Sequence, residues 1–205
     1  MLYLIFMHLF FSTPIWINQI NNHERINTEL KKYIYKEKEK NPEGNKKSNV
    51  NGWHSDDFDL KNENLKNFIS EISKNIGTTI NDMSWDLDSQ LVKITSMWAI
   101  INHKDAFNEK HHHGSSALSA AYYVKAEKNA GDIVFFDPRQ ANVFHHPFSK
   151  EVNNINAQVQ SITPKAGTLI LFPSYLEHKV NPNLSNEERI VISFNVSLLR
   201  KKDLL

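Results

Sequence analysis

From residue 85 onward the chain shows no helical period, and this constrains its fold more than any other feature. The apolar residues fall in six short runs, LVKITSMWAII, ALSAAYYV, GDIVFFDP, QVQSITP, GTLILFP and RIVISFNVSLL, rich in β-branched and aromatic side chains and separated by turn residues. Two helical stretches and one or two further strands precede them. Closely spaced strands after helices predict a mainly β fold: an antiparallel sandwich or jelly roll (double-stranded β-helix) with the N-terminal helices packed on one sheet. The chain shows no internal repeat and no low-complexity linker, and 205 residues with 40% apolar content are ample for one core. A single domain over residues 1–205 is expected.

Residues 64–80, NLKNFISEISKNIGTTI, place Leu65, Phe68, Ile69, Ile72 and Ile76 on one helical face, with Gly77 as the expected C-cap. A second helix starts within residues 22–51, where Ile26, Leu30, Tyr33 and Ile34 recur at helical spacing. The second half of that stretch dissolves into Lys, Glu, Asn, Pro and Gly and reads as a surface loop. Its lysines are interleaved with Glu37, Glu39 and Glu43, the pattern of a solvated segment and not of a nucleic-acid patch. The opening stretch, MLYLIFMHLFFSTPIW, has no basic n-region and no small-residue cleavage site, and carries His8. It is shorter than the roughly 20 residues that span a bilayer, so a buried first strand is expected, and with it a cytoplasmic location.

Composition removes several classes of chemistry. Lys+Arg 24 against Asp+Glu 23 leaves a formal charge of +1, which offers no footprint for nucleic acid or an anionic membrane. A small-molecule partner is the expectation. The sequence does not set the oligomeric state, with which a homodimer is compatible. No cysteine is present, so a disulfide framework, a thiolate zinc site, an iron–sulfur cluster and a cysteine nucleophile are all excluded. A metal in this chain needs His, Asp or Glu.

Three consecutive histidines, His111 to His113, lie far from either terminus and are therefore no affinity tag. On a strand, residues i and i+2 point to one face, so His111 and His113 share a face and His112 points away. His178 follows the GTLILFP run and supplies a third imidazole. Three imidazoles can occupy one face of an octahedron around Fe, leaving the opposite positions for substrates; Zn, Cu and Ni also accept imidazole. Spacing alone leaves this site level with a surface histidine cluster. Arg189, eleven residues after His178, opens an apolar strand where a guanidinium needs a carboxylate partner, which a small dicarboxylate would provide.

The segments LFFSTPIW, GWHSD at 52–56, HHHGSSALSAAYYV, FFDPR at 135–139 and PKAGTLILFPSYLEHKVNPNLSNEERIVISFN at 164–195 together resemble the iron(II)- and 2-oxoglutarate-dependent oxygenases, in particular a family known mainly from marine bacteria and their phages. The resemblance covers nearly the whole chain and is most specific in the last segment. It implies Fe(II) held by His111, His113 and His178, with 2-oxoglutarate and O2 as cosubstrates and release of succinate and CO2 as an unidentified substrate is hydroxylated. The superfamily at large places a carboxylate where this chain has His113. The narrower family shares the HxH pattern, and three neutral ligands leave Fe²⁺ at +2, which a doubly charged 2-oxoglutarate neutralises. Asp137 and Glu109 are the available stand-in carboxylates, Asp137 reading better as a turn-former before Pro138.

In the same reading Arg189 pairs with the 5-carboxylate of 2-oxoglutarate. Tyr123 is a candidate hydrogen-bond donor to that carboxylate, Ser193 shares strand parity with Arg189 and is a candidate helper, and Asn102, at the end of MWAIIN, is a candidate pocket residue counted with them as cosubstrate-binding. Trp53 and His54 read as an aromatic plug over the core or part of a substrate loop. Two other functions stay open on the residues alone. One is a cupin-type three-histidine metalloenzyme that makes no use of 2-oxoglutarate, and the other is a non-catalytic jelly-roll binding module.

Overall fold

The computed structural model describes residues 7–139 and 147–203. In chain order the elements are β1 (Trp16–Gln19), α1 (His23–Lys40), β2 (Asn49–His54), α2 (Glu63–Asp82), β3 (Gln90–His111), β4 (Leu118–Lys125), β5 (Ile133–Phe136), β6 (Val159–Ile162), β7 (Thr168–Pro173), β8 (His178–Val180), β9 (Arg189–Arg200) and a 3-10 turn, Lys201–Asp203. All six expected strand runs are present as strands. They pair antiparallel in the order β1-β7-β4-β9-β3-β8-β5-β6, with β2 on the free side of β3. This curled sheet is a double-stranded β-helix.

The strand β3 joins the two halves of the sheet. Its first part, Gln90 to Asn102, pairs with β9, and its last part, Asn108 to His111, pairs with β8. Between them the strand bends: opposite β2 the register jumps from Gly52↔Asn102 to Val50↔Phe107, and Asp105 takes a φ of 66°. The fully buried Asn183 splices the bend. Its backbone exchanges hydrogen bonds with Asp105 and Ala106, at 2.7 and 3.0 Å, and its Nδ2 donates to the Asn102 and Glu187 carbonyls.

Alternation along the strands creates two faces. Met97, Ala99 and Ile101 of β3, Ala120 and Tyr122 of β4, Leu169 and Leu171 of β7, and Ile190, Ile192 and Phe194 of β9 join one apolar cluster with both helices. In α1 the residues facing it are Ile26, Leu30, Tyr33 and Ile34, and in α2 Leu65, Phe68, Ile72, Ile76 and Ile80. Phe68 lies on Tyr122 with ring centroids 4.8 Å apart, and the Tyr122 hydroxyl donates to Asn27 Oδ1 at 2.6 Å. The opposite face of the same strands lines the cavity described below.

Three expectations are corrected here. Residues 7–11 form no strand and Met7, Leu9, Phe10 and Phe11 are exposed; the first strand comes later, at Trp16–Gln19, where Ile17 is 56% exposed. Residues 1–6 of the expected strand lie outside the described residues. Helix α1 runs on to Lys40, because lysine and glutamate are good helix formers and Lys40 pairs with Glu37 one turn back. Gly77 does not end α2, which continues for another turn and a half to bury Thr79 and Ile80. Glycine is a weak helix former whose cost is outweighed by that burial.

Phe68→Ala removes a ring that is 1% exposed from the helix–sheet interface. The expected loss of stability is about 3–5 kcal/mol, read by urea unfolding.

Candidate metal centre

The ligand-capable atoms of His111, His113 and His178 all lie within 4.8 Å of one another. Ring centroids are 5.1 Å apart for His111–His113, 4.4 Å for His111–His178 and 5.2 Å for His113–His178. His111 is the last residue of β3 and pairs directly with His178, the first of β8; a one-residue irregularity between Asn108 and His111 sets this register. His113 stands beyond the strand, so strand parity is not what aims it. Its backbone N–H is latched to the Ser174 carbonyl at 2.9 Å, just past the end of β7. His112 points elsewhere, its Nδ1 accepting from the Gly114 N–H at 3.1 Å.

Two of the rings are oriented by their own backbone. His111 Nδ1 bonds the Glu109 carbonyl at 2.7 Å and His178 Nδ1 bonds the Leu176 carbonyl at 3.0 Å. A carbonyl only accepts, so both Nδ1 atoms carry the proton and both Nε2 lone pairs remain available. The Ser48 hydroxyl, held by Asn108 Nδ2 at 3.2 Å, lies 3.5 Å from His111 Nε2. Phe172 meets the His178 ring edge-on at 4.7 Å, and Trp98 leans on His113 at 5.7 Å while stacking on His54. Burial disfavours the imidazolium, and the neighbouring rings add to this, so His178 is pushed down to about 3 and His113 to about 4; His111 moves the same way. All three are neutral at pH 7, the form that binds a metal, and an all-imidazole donor set suits Fe, Ni, Zn or Cu and not the oxygen-seeking Mg or Ca.

The histidines open into a cavity of about 570 Å³ whose other end holds Arg189. This side chain is fully buried and has no carboxylate partner among the described residues. Its Nη1 donates to the carbonyls of Ala130 and Asn181, the latter at 3.0 Å, with a longer contact to Gly131. Gly131 has a φ of 88°, and a Cβ there would come within 2.6 Å of Nη1. With Nη1 pinned, the Nε and Nη2 edge is left without a partner among the described residues. That edge is the side-on fork that grips a carboxylate. The cavity therefore joins three neutral nitrogen donors to a buried guanidinium with an open edge, and fits both a metal and a small dianion.

Tyr123 lines the cavity from β4, and burial pushes its hydroxyl up to about 12. Asn102 lines it from β3, directly opposite Arg189 in register. Ser193 also faces the cavity, opposite Trp98, but four residues at about 3.3 Å each set it some 13 Å along β9 from Arg189, toward the histidine end. Asp137 lies outside this cavity, in a bidentate pair with Arg139 at 2.8 and 3.0 Å. Glu109 touches the site through its backbone carbonyl. His54 faces the cavity from β2, while Trp53 points to the helix side and donates to the Asn41 carbonyl at 2.8 Å. His103 pairs with Glu188 on the surface, and His145 and His146 lie outside the described residues. Ser48, Trp98 and Phe172 were not identifiable as site residues from sequence, because nothing in their local pattern distinguishes a cavity wall from a core or a loop.

Residues 96–195 match the family model described as "Putative 2OG-Fe(II) oxygenase". A search of curated protein sequences finds no match. Among solved structures, a Pseudomonas putida prolyl-4-hydroxylase superposes with a TM-score of 0.62 at 14% identity, covering 93% of this chain and 94% of its own. HygX from Streptomyces hygroscopicus, with nickel and 2-oxoglutarate bound, gives 0.64 at 8% identity over 91% and 83% of the two chains. The viral collagen prolyl hydroxylase of Paramecium Bursaria Chlorella virus-1, a 2OG complex, gives 0.58 at 14% identity over 90% and 96%. At these identities the likeness is one of fold.

The depressed histidines predict acid lability of the metal-free protein. Below the ordinary value of about 6.5 the unfolded chain takes up protons that the folded His178 and His113 refuse until about 3 and 4. Stability is therefore complete above about pH 6.5 and falls as the pH drops below it. The melting temperature should decrease from pH 7 to pH 5, where most carboxylates stay ionised, and His178→Gln should flatten that slope. An unchanged melting temperature over this interval would show the rings to be solvated.

Proposed function

We propose, on the premise that this chain is an iron(II)- and 2-oxoglutarate-dependent oxygenase, that His111, His113 and His178 hold its iron and that Arg189 anchors the 5-carboxylate of its cosubstrate. One observation carries the reading: a fully buried arginine with an open Nε/Nη2 edge shares a cavity with three converging neutral imidazoles. A cupin-type enzyme acting without 2-oxoglutarate has no need of that arginine. HygX, which has the same fold, has been solved with nickel and 2-oxoglutarate and also with iron bound, which supports a metal and this cosubstrate here.

When bound, Fe(II) with 2-oxoglutarate and O2 supplies an oxidative decarboxylation to succinate and CO2 and the insertion of one oxygen atom into a substrate C–H bond. The chain's own residues bind, orient and exclude water. The Nδ1–H bonds of His111 and His178 hold the two Nε2 lone pairs toward a common point, so little ring reorientation accompanies metal entry. Arg189 fixes one end of the cosubstrate through two parallel charge-assisted bonds, and Tyr123 is placed to add a third from β4. Ala121, Ile133, Phe172 and Val191 form an apolar wall between the two ends, which keeps bulk water from the metal. Trp98, His54 and Ser193 line the side away from Arg189, where the prime substrate enters. We read residues 1–205 as one oxygenase domain working in the cytoplasm.

The metal assignment is tested by iron content after desalting. His111→Ala, His113→Ala and His178→Ala should each lose most of the iron, and His112→Ala should keep it. Equal loss from all four variants would remove the assignment. For the cosubstrate, anaerobic titration of the iron protein with 2-oxoglutarate should raise a weak visible charge-transfer band. Arg189→Ala should keep the iron and lose about 2–5 kcal/mol of binding, or roughly thirty-fold or more in affinity. Arg189→Lys should recover only part, since an ammonium lacks the fork. Wild-type affinity in Arg189→Ala would end the 2-oxoglutarate reading.

A further inference from the structure

Asn102 is 1% exposed, yet neither its Nδ2 nor its Oδ1 has a hydrogen-bond partner among the described residues. A buried amide left unpaired is costly, and native structures keep few of them. The other buried asparagines among the described residues do not share this state: Asn27 accepts from Tyr122, Asn108 donates to Ser48, and Asn183 donates to two carbonyls. Each of these amides has a protein partner, whereas the Asn102 amide faces the cavity without one among the described residues.

Its neighbours across the sheet define what it faces. On one side, opposite Asn102 in register, is Gly52 of β2, and on the other is Arg189 of β9. A Cβ on Gly52 would lie 2.9 Å from Asn102 Nδ2 and 3.1 Å from the Ile101 carbonyl, so the space above this glycine is filled by the Asn102 amide. Directly opposed side chains in an antiparallel pair start about 5 Å apart, so Asn102 and Arg189 are neighbours on the cavity wall, with Nδ2 turned toward Gly52 and no direct bond between amide and guanidinium. The unpaired donors at this end of the cavity are then Arg189 Nε, Arg189 Nη2 and Asn102 Nδ2. A carboxylate offers about four lone-pair sites, enough for all three, whereas a neutral carbonyl offers two.

We propose that Asn102 is a second cosubstrate-binding residue, donating from Nδ2 to the carboxylate that Arg189 holds, and that Gly52 is required because it leaves room for that amide. This rests on the cosubstrate reading of Arg189. Oδ1 is left to a water. The Gly52 side of the GWHSD segment thereby acquires a role two strands away from the arginine it serves.

The test uses the full-length iron protein, with anaerobic 2-oxoglutarate titration, iron content and melting temperature without cosubstrate as readouts. Asn102→Leu should keep the iron and weaken 2-oxoglutarate by about ten-fold or more, the loss of one charge-assisted donor. Gly52→Ala should weaken it in the same direction with the iron retained. Asn102→Asp separates a binding role from packing, because the new carboxylate pairs with Arg189. It should raise the melting temperature without cosubstrate and reduce 2-oxoglutarate affinity more than Asn102→Leu does. The proposal is overturned by wild-type affinity in Asn102→Leu, or by a lowered melting temperature in Asn102→Asp. Arg189→Ala is run alongside. If it too binds like wild type, the failure lies in the cosubstrate reading; if it alone loses binding, only the role of Asn102 fails.

Discussion

The whole site depends on one strand pairing in both halves of the curled sheet. The strand β3 pairs with β9 up to Asn102 and with β8 from Asn108, and the bend between them is locked by Asn183. Before the bend, β3 lays Trp98, Ile100 and Asn102 along the cavity; after it, His111 is brought opposite His178. Straighten the strand and the imidazoles separate from the arginine end. An asparagine suits the splice because its amide supplies two donors besides its backbone groups, and both are used.

The two faces of the sheet divide the labour. The helix-covered face is apolar apart from a few satisfied groups such as the Tyr122–Asn27 pair and carries the stability of the fold, while the cavity face accepts unpaired polar groups at a cost that the other face offsets. The unsatisfied atoms there, on Arg189 and Asn102, lie opposite one another in register. Burial keeps the three histidines uncharged and leaves Arg189 as the buried charge at the far end. The cavity is thus electrostatically one-sided, and a small dianion complements it.

Much of this was legible in the sequence, for physical reasons. Period and spacing exposed both helix faces and all six strand runs, since the apolar pattern of a half-buried element survives in the chain itself. The HxH pair, His178 and Arg189 were readable from residue type and interval. What escaped were features decided by tertiary contact. The first strand is chosen by pairing with β7 and not by apolarity, so it lies at Trp16–Gln19 although residues 7–11 are the greasier stretch. His113 converges on the other two rings through the latch to Ser174 and not through strand parity, and no local pattern encodes a bond sixty residues away. The bulges that reset the face of β3 twice between Asn102 and His111 are likewise invisible to a rule of alternation. Ser193 shows the limit of parity, which gives a face but not a position along it.

The tautomers of His111 and His178 are set by carbonyls two residues behind each ring, on the same stretch of backbone. The nitrogen cage is therefore ready before any ion arrives, and it contains nothing that asks for iron in particular. By the ordinary ranking of divalent ions, three imidazoles bind nickel, copper or zinc more strongly than ferrous iron. Three imidazoles alone therefore do not select iron, and the choice among these ions falls to the rest of the site and to the supply of metal around the chain.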